Sequence, residues 1–142
     1  MSQPNLKKEH SMLQIFAVLT IAFTFTLSAQ TQQEAAVTVT IVPSAQSGGP
    51  DKTEIIAGTV TGKCDECSII LYAKAGDVWY VQPQADAVYT TIRDGKWSNE
   101  THLGTQYAAI LAKRDFIPPA KTLLLPKVGD RILGVTIVDG RR

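Results

Sequence analysis

The sequence has little of what most enzymes and nucleic-acid-binding proteins depend on. Its 142 residues include two cysteines, two histidines and two tryptophans, and the formal net charge is +1. Nucleic-acid-binding proteins normally carry a basic excess on one face, so nucleic acid is not an expected partner. The chain contains no G-x-S-x-G nucleophile motif and no second Cys or His pair that would complete a four-ligand zinc site. We therefore expect no enzymatic activity, no metal and no cofactor.

Long apolar runs are also scarce, and the one present lies near the N-terminus. Lys7 and Lys8 precede an apolar run over residues 12–27, which Ser28 and Ala29 follow. A short basic region, an apolar stretch and small residues are typical of a secretory signal peptide. We therefore predict a signal peptide over residues 1–29 and an exported protein, periplasmic or extracellular. The alternative is an uncleaved membrane anchor over residues 12–29, although a spanning helix needs about 20 mostly apolar residues.

The rest of the chain alternates short β-branched or aromatic runs with turn residues. Residues 30–36 form a polar lead-in, and the domain is expected over residues 37–142. Turn signals every eight to twelve residues favour an all-β, antiparallel sandwich, here of about seven to eight strands. Alanines allow a helix over residues 107–113, but the β-rich neighbours favour a strand. The predicted strands cover residues 37–42, 54–61, 68–75, 78–82, 88–92, 105–113, 123–125 and 132–138.

Strand alternation predicts which side chains are buried. Successive residues of a strand point to opposite faces, so Trp79 is expected in the core, as is Tyr107 of the following aromatic run. In the last predicted strand, alternation places Leu133, Val135 and Ile137 on one face, which we expect to face inwards.

A polar and aromatic set around residues 82–102 is the candidate ligand-binding site. Asp94-Gly95 predicts a hairpin turn, and we expect the residues that follow it to form an exposed loop. Trp97, Asn99 and His102 of this loop, together with Gln82, could stack on and hydrogen-bond a sugar if they converge at one edge. The alternative for Trp97 is that its ring packs over the hairpin.

Cys64-Asp65-Glu66-Cys67 is the sharpest local motif of the chain. In an exported protein such a pair is best interpreted as a disulfide. A redox pair is the alternative, but redox C-x-x-C motifs use a helix N-terminus to stabilise the thiolate, and this motif lies between predicted strands. A third alternative, half of a metal site, lacks further ligands, because His102 is the only histidine after the signal segment.

The chain also resembles a small bacterial accessory domain found behind a signal peptide or attached to larger exported proteins, some of them carbohydrate-active. The most specific matching pieces are Trp79-Tyr80-Val81-Gln82-Pro83, Asp94-Gly95-x-Trp97 and Gly104-x-x-Tyr107-Ala108, within a similarity that covers Ile41 to Val138. The resemblance implies an immunoglobulin-like β-sandwich with a non-catalytic role. It supplies no catalytic residues.

Together these patterns predict an exported, non-catalytic binding module for carbohydrate or a cell-envelope polymer. The alternative from another class is a structural module that packs against an exported protein partner. A weaker alternative is a thiol-redox protein that uses Cys64 and Cys67. Contact with a membrane is expected only through the N-terminal segment, if it is not cleaved.

Overall fold

The computed structural model describes residues 34–142, and the predicted signal peptide and most of the lead-in lie outside this range. These residues form eight strands and no α-helix, so the all-β prediction is confirmed. No helix in this range is long and apolar enough to span a membrane. The strands are β1 Ala36–Ile41, β2 Thr53–Thr61, β3 Cys67–Ala75, β4 Val78–Gln82, β5 Lys96–His102, β6 Gln106–Lys113, β7 Lys121–Thr122 and β8 Ile132–Asp139.

The strands form two antiparallel sheets, as expected for a β-sandwich. The smaller sheet has the order β1-β2-β5 and the larger one the order β7-β4-β3-β6-β8. The chain therefore changes sheets between β2 and β3, between β4 and β5, and between β5 and β6. A hydrogen bond of 2.6 Å from Thr136 Oγ1 to Val37 O joins β8 to β1, where the edges of the two sheets meet.

The first hydrophobic core, which we call the inner core, lies between the sheets. The odd-numbered residues of β3 and β6 face the smaller sheet, which contributes residues from each of its three strands. The buried members are Val37, Ile56, Cys67, Ile69, Leu71, Ala73, Trp97, Tyr107, Ala109 and Leu111.

A second core, which we call the outer core, lies on the opposite face of the larger sheet. The even-numbered residues of β3 and β6 lie there with Trp79, Val81 and Ile132. Because the smaller sheet packs on the other side, the irregular segments supply the cover through Val88, Phe116 and Leu125. The central strands β3 and β6 are consequently buried on both faces, which explains their almost continuous apolar sequence. Trp79 and Tyr107 are buried as predicted, at 6% and 0% exposure, but they belong to different cores.

Six of the predicted strands are present, and two are not. Most of the predicted strands match β1 to β4, β6 and β8 within one or two residues, and the helical alternative for residues 107–113 is wrong. Residues 88–92 form no strand, because only Thr90 makes a bridge, to Ile69. The predicted strand at 123–125 is also wrong, since the short pairing with β4 falls at Lys121 and Thr122.

The segment after the Asp94-Gly95 turn is a strand and not the loop that we expected. Asp94 and Gly95 have φ angles of 51° and 70°, the positive values that a type I′ hairpin turn requires. Lys96–His102 then pairs with β2 along seven consecutive residues. The predicted turn is present, but the partner that orders the following residues is β2, which is distant in sequence.

The predicted facing of the last strand is wrong for two of its three residues, whereas Leu133 packs against the inner core as expected. Val135 and Ile137 pair with Ile110 and Ala108 and therefore lie on the outer face of the larger sheet. A register shift beside Leu133 reverses the alternation. Gly134 instead faces β1, where an added Cβ would lie 3.4 Å from the Val37 nitrogen. The close approach of the two edge strands thus favours small residues at this face.

The Tyr107 hydroxyl ties three parts of the chain together. It accepts a hydrogen bond of 3.0 Å from the backbone N–H of Gly104 and donates one of 2.6 Å to the carbonyl oxygen of Ser44. The N–H of Ser44 in turn donates to the Glu54 carboxylate at 2.8 Å. One phenol therefore fixes the β5–β6 corner to the connection that follows β1.

We predict that Tyr107→Phe lowers the free energy of unfolding by about 1–3 kcal/mol, because one buried and one part-buried backbone group lose their partner. The matched control is Tyr89→Phe, which removes an exposed hydroxyl bonded to Phe116 O and should cost no more than about 0.5 kcal/mol. Urea denaturation measures both values. Equal losses in the two variants would contradict the role assigned to Tyr107.

A second prediction concerns alkaline stability. Burial raises the pKa of Tyr72 to about 12, whereas a tyrosine in an unfolded chain ionises near pH 10. The contribution of neutral Tyr72 to stability is thus complete below about pH 10 and is lost as the pH rises towards 12. Tyr72→Phe should flatten the fall of the unfolding free energy across this window, compared with Tyr80→Phe, which changes an exposed residue. Parallel pH profiles in the two variants would contradict this assignment.

Candidate functional site

A candidate site is the pocket at the end of the sandwich that carries the β3–β4 hairpin. Its volume is about 360 Å³, and it opens between the two sheets beside the Gly48–Pro50 connection. The lining is mainly apolar, with a few polar groups. The lining residues are Gly48, Gly49, Pro50, Ala73, Lys74, Ala75, Tyr80, Gln82, His102 and Leu103.

Gln82 forms the polar floor of this pocket. It is the last residue of β4, and strand alternation directs it to the same face as Tyr80, opposite Trp79 and Val81. Although its side chain is polar, Gln82 is only 5% exposed. Its Oε1 accepts a hydrogen bond of 2.9 Å from the backbone N–H of His102, and its Nε2 donates to Tyr80 O at 3.3 Å. These two partners fix which end of the amide faces His102.

The fixed amide also determines the tautomer of His102. The imidazole Nδ1 lies 3.0 Å from Gln82 Oε1. Because an amide oxygen can only accept, a neutral His102 must carry its proton on Nδ1 to make this bond. Its Nε2 is then left as a hydrogen-bond acceptor. The structure therefore brings together two of the predicted site residues, Gln82 and His102.

Tyr80 is the aromatic residue of the pocket, and the sequence analysis missed it. The ring is 43% exposed, and its cross-strand partner is Ala73, a small residue that leaves room beside it. The signal that could have identified Tyr80 was the alternation of β4, which separates it from the two buried neighbours. Lys74 lines the pocket too, but its ammonium lies 5.5 Å from the centre of the Trp79 ring and contacts Gln106 at 3.3 Å. That charge therefore points towards the Trp79 side of the sheet.

The indole of Trp97 packs in the inner core, and the residue also borders a surface groove together with Asn99. Trp97 is 3% exposed and lies opposite Gly58 in the β2–β5 pairing. An added Cβ at Gly58 would come within 2.5 Å of the indole, so the glycine provides the space that the ring fills. Burial of the indole therefore favours the packed alternative for Trp97 over stacking of a surface ligand.

Asn99 is not part of the pocket either. Its Nδ2 donates a hydrogen bond of 2.8 Å to Thr90 Oγ1, and Thr90 exchanges both backbone hydrogen bonds with Ile69. Asn99 therefore holds the connection between β4 and β5 against the sandwich. His102 lies three residues further along, at the end of the strand, and its ring contacts Gln82 rather than Thr90.

Cys64 lies in the connection between β2 and β3, and Cys67 is the first residue of β3. Cys64 and Cys67 are at disulfide-bonding distance, with Cα atoms 5.8 Å apart. Cys67 is 7% exposed and packs in the inner core, against which Cys64 also packs. Residues 34–142 provide no helix N-terminus beside these sulfurs, so the feature that commonly activates a redox thiol is missing from this range.

The chemistry available in the pocket is hydrogen bonding and ring stacking. Tyr80, Gln82 and His102 are its polar side chains, apart from the outward-pointing Lys74. No carboxylate, serine or cysteine is among its lining residues within the described range. The same range contains no cluster of three or more His, Cys, Asp or Glu side chains that could hold a metal ion. The arrangement is suited to a neutral, hydroxyl-bearing ligand.

Comparison with known proteins adds no assignment: no family model, curated protein or solved structure matches the chain.

The geometry of Gln82 predicts the position of a proton. In a two-bond ¹H–¹⁵N spectrum, neutral His102 should show Nδ1 protonated and Nε2 bare. Gln82→Met removes the accepting oxygen, so the Nδ1-protonated fraction should fall and the usual Nε2-protonated form should increase. Gln106→Met is the matched control, because Gln106 bonds Lys74 and Asp139 and not His102. An unchanged tautomer in Gln82→Met would contradict the assignment.

Proposed function

We propose that this protein is an exported, non-catalytic binding module that takes one neutral sugar unit of an extracellular or cell-envelope polysaccharide. The observation that carries the proposal is the exposed Tyr80 ring beside the His102–Gln82 pair in one pocket. Planar aromatic rings offer an apolar face to a sugar while their hydroxyl groups remain in water. His102 Nε2 supplies an acceptor for a sugar hydroxyl.

The size and charge of the pocket support this ligand class. Ligand pockets are typically about 300–1,000 Å³, and a pocket of about 360 Å³ suits one ring better than an extended chain. The lining has no carboxylate, and the Lys74 ammonium is held over the Trp79 ring. A neutral ligand therefore fits better than a charged one.

We further propose that the sandwich is immunoglobulin-like, in line with the resemblance. Two features support this. The sheet orders β1-β2-β5 and β4-β3-β6-β8 correspond to the A-B-E and C′-C-F-G strands of such domains, with β7 as an addition. Tyr107, near the start of β6, bonds the backbone N–H of Gly104 three residues upstream, as in a tyrosine corner.

The test is a screen of polysaccharides and glycans followed by titration of the strongest binder. Both tryptophans are buried, so the readouts are calorimetry and the ¹H–¹⁵N signals of His102 rather than indole fluorescence. We expect Tyr80→Ala to weaken binding at least about tenfold, the size expected for loss of a central aromatic contact. Tyr80→Phe should retain most of the affinity, because the stacking face is kept.

The matched control is Tyr89→Ala. Tyr89 is exposed to 44%, almost the same as Tyr80 at 43%, but it bonds Phe116 O and does not line this pocket. Its replacement should leave glycan affinity unchanged. Glycan binding that survives Tyr80→Ala and His102→Ala, or that is lost in Tyr89→Ala, would contradict the proposed site.

A further inference from the structure

The most exposed large hydrophobic residues of the described range lie in one segment, residues 113–131. Ile117 is 84% exposed, Leu124 83%, Leu123 69% and Val128 66%, all higher than any other large hydrophobic residue in residues 34–142. Single exposed aliphatic residues are normal, but a concentration of them marks an interaction surface. This segment belongs to the cover of the outer core and is separate from the Tyr80 pocket.

Two hydrogen bonds to backbone atoms between Ile117 and Leu123 tie this segment to the larger sheet. Pro119 O accepts a bond of 2.8 Å from the buried Tyr72 hydroxyl, and Ala120 O accepts one of 3.0 Å from Val81 N. The Thr122 hydroxyl then bonds both the N–H and the carbonyl of Leu124, at 3.2 and 2.7 Å. The segment therefore has defined anchors on the sheet.

Packing of the segment explains why its apolar residues divide into two sets. Phe116 and Leu125 enter the outer core, while their neighbours Ile117 and Leu124 project into solvent. The backbone anchors leave these exposed side chains without a place in that core.

The segment also carries a net positive charge, whereas the rest of the range 34–142 carries a net negative charge. Residues 113–131 contain five basic and two acidic residues, a net charge of +3, whereas the other residues of the range 34–142 contain seven basic and ten acidic ones. One basic group, Arg131, pairs with Asp115 at 3.3 Å. None of the three ion pairs in the described range involves Lys121 or Lys127, which flank Leu123 and Leu124.

Exposed aliphatic side chains flanked by lysines fit a membrane surface better than a protein partner. Protein interfaces are depleted of lysine and enriched in aromatic residues at their centres, whereas here lysines flank aliphatic side chains. A symmetric contact between two copies would place two positively charged segments against each other. An anionic lipid surface can bind both the aliphatic side chains and the lysines. The ends of the aliphatic side chains enter the boundary between headgroups and acyl chains, while the lysine ammonium groups remain at the phosphates.

We propose that the 113–131 segment docks the protein on a membrane surface rich in anionic phospholipid. Ile117, Leu123, Leu124 and Val128 enter the boundary between headgroups and acyl chains. Lys121 and Lys127 contact the lipid phosphates. The domain would then lie on the membrane through its own surface, in addition to any contact made by its N-terminal residues.

The test is co-sedimentation of the full chain with vesicles of phosphatidylglycerol and phosphatidylcholine, compared with vesicles of phosphatidylcholine alone. Leu123→Ser/Leu124→Ser should lower partitioning onto the anionic vesicles at least about tenfold, because apolar insertion is lost. Lys121→Gln/Lys127→Gln should lower it about five- to tenfold and make the remaining binding less sensitive to salt.

The matched control is Ile41→Ser/Ile55→Ser, which replaces two exposed isoleucines of β1 and β2 in the smaller sheet and should leave partitioning unchanged. Every variant keeps residues 1–33, so differences report the substituted surface. Equal binding to both kinds of vesicle, or partitioning that neither segment variant changes, would overturn the proposal. Self-association without vesicle binding, lost in Leu123→Ser/Leu124→Ser, would assign the segment to a second copy and also overturn it.

Discussion

Burial of the larger sheet on both faces is the constraint on which the rest of the structure depends. The central strands β3 and β6 are covered by the smaller sheet on one side and by irregular segments on the other. Three strands cover the first face, but within residues 34–142 no sheet covers the second. Residues 83–95 and 114–131 therefore have to supply a cover with few regular hydrogen bonds of their own, and side chains such as Asn99 and Tyr72 provide the ties.

Both proposed surfaces follow from this arrangement. Trp79 and Val81 are drawn into the outer core, and because residues of a strand alternate, Tyr80 and Gln82 must face the opening between the sheets. The same outer core takes Phe116 and Leu125 from the covering segment, which leaves their neighbours in solvent. The pocket and the exposed apolar segment are thus on opposite sides of β4, each a consequence of where its neighbours are buried.

What the sequence could predict depended on how local the deciding interaction was. The runs VTVTIV and ILGVTIV are rich in β-branched residues, and SIILYAKA is mainly apolar between turn signals, so their strands were evident. The sequence KWSNETH has one β-branched residue, and its extended form is decided by pairing with β2. Val135 and Ile137 of β8 were assigned to the wrong face for a related reason. A single register shift beside Leu133 reverses the face of every later side chain. Gln82 and His102 are twenty residues apart, and their contact depends on the way two different sheets meet.

The contact between Gln82 and His102 also limits what the pocket can recognise. It joins β4 of the larger sheet to β5 of the smaller one, so the amide is a structural link as well as a pocket group. Its oxygen already faces two donors at 2.9 and 3.0 Å, and one of its N–H groups is taken by Tyr80 O. An amide oxygen offers two lone pairs, so it has none left for a ligand. The sugar ligand proposed above would therefore be held by a hydrogen bond to His102 Nε2 and by its apolar face on Tyr80, without contact to the amide oxygen.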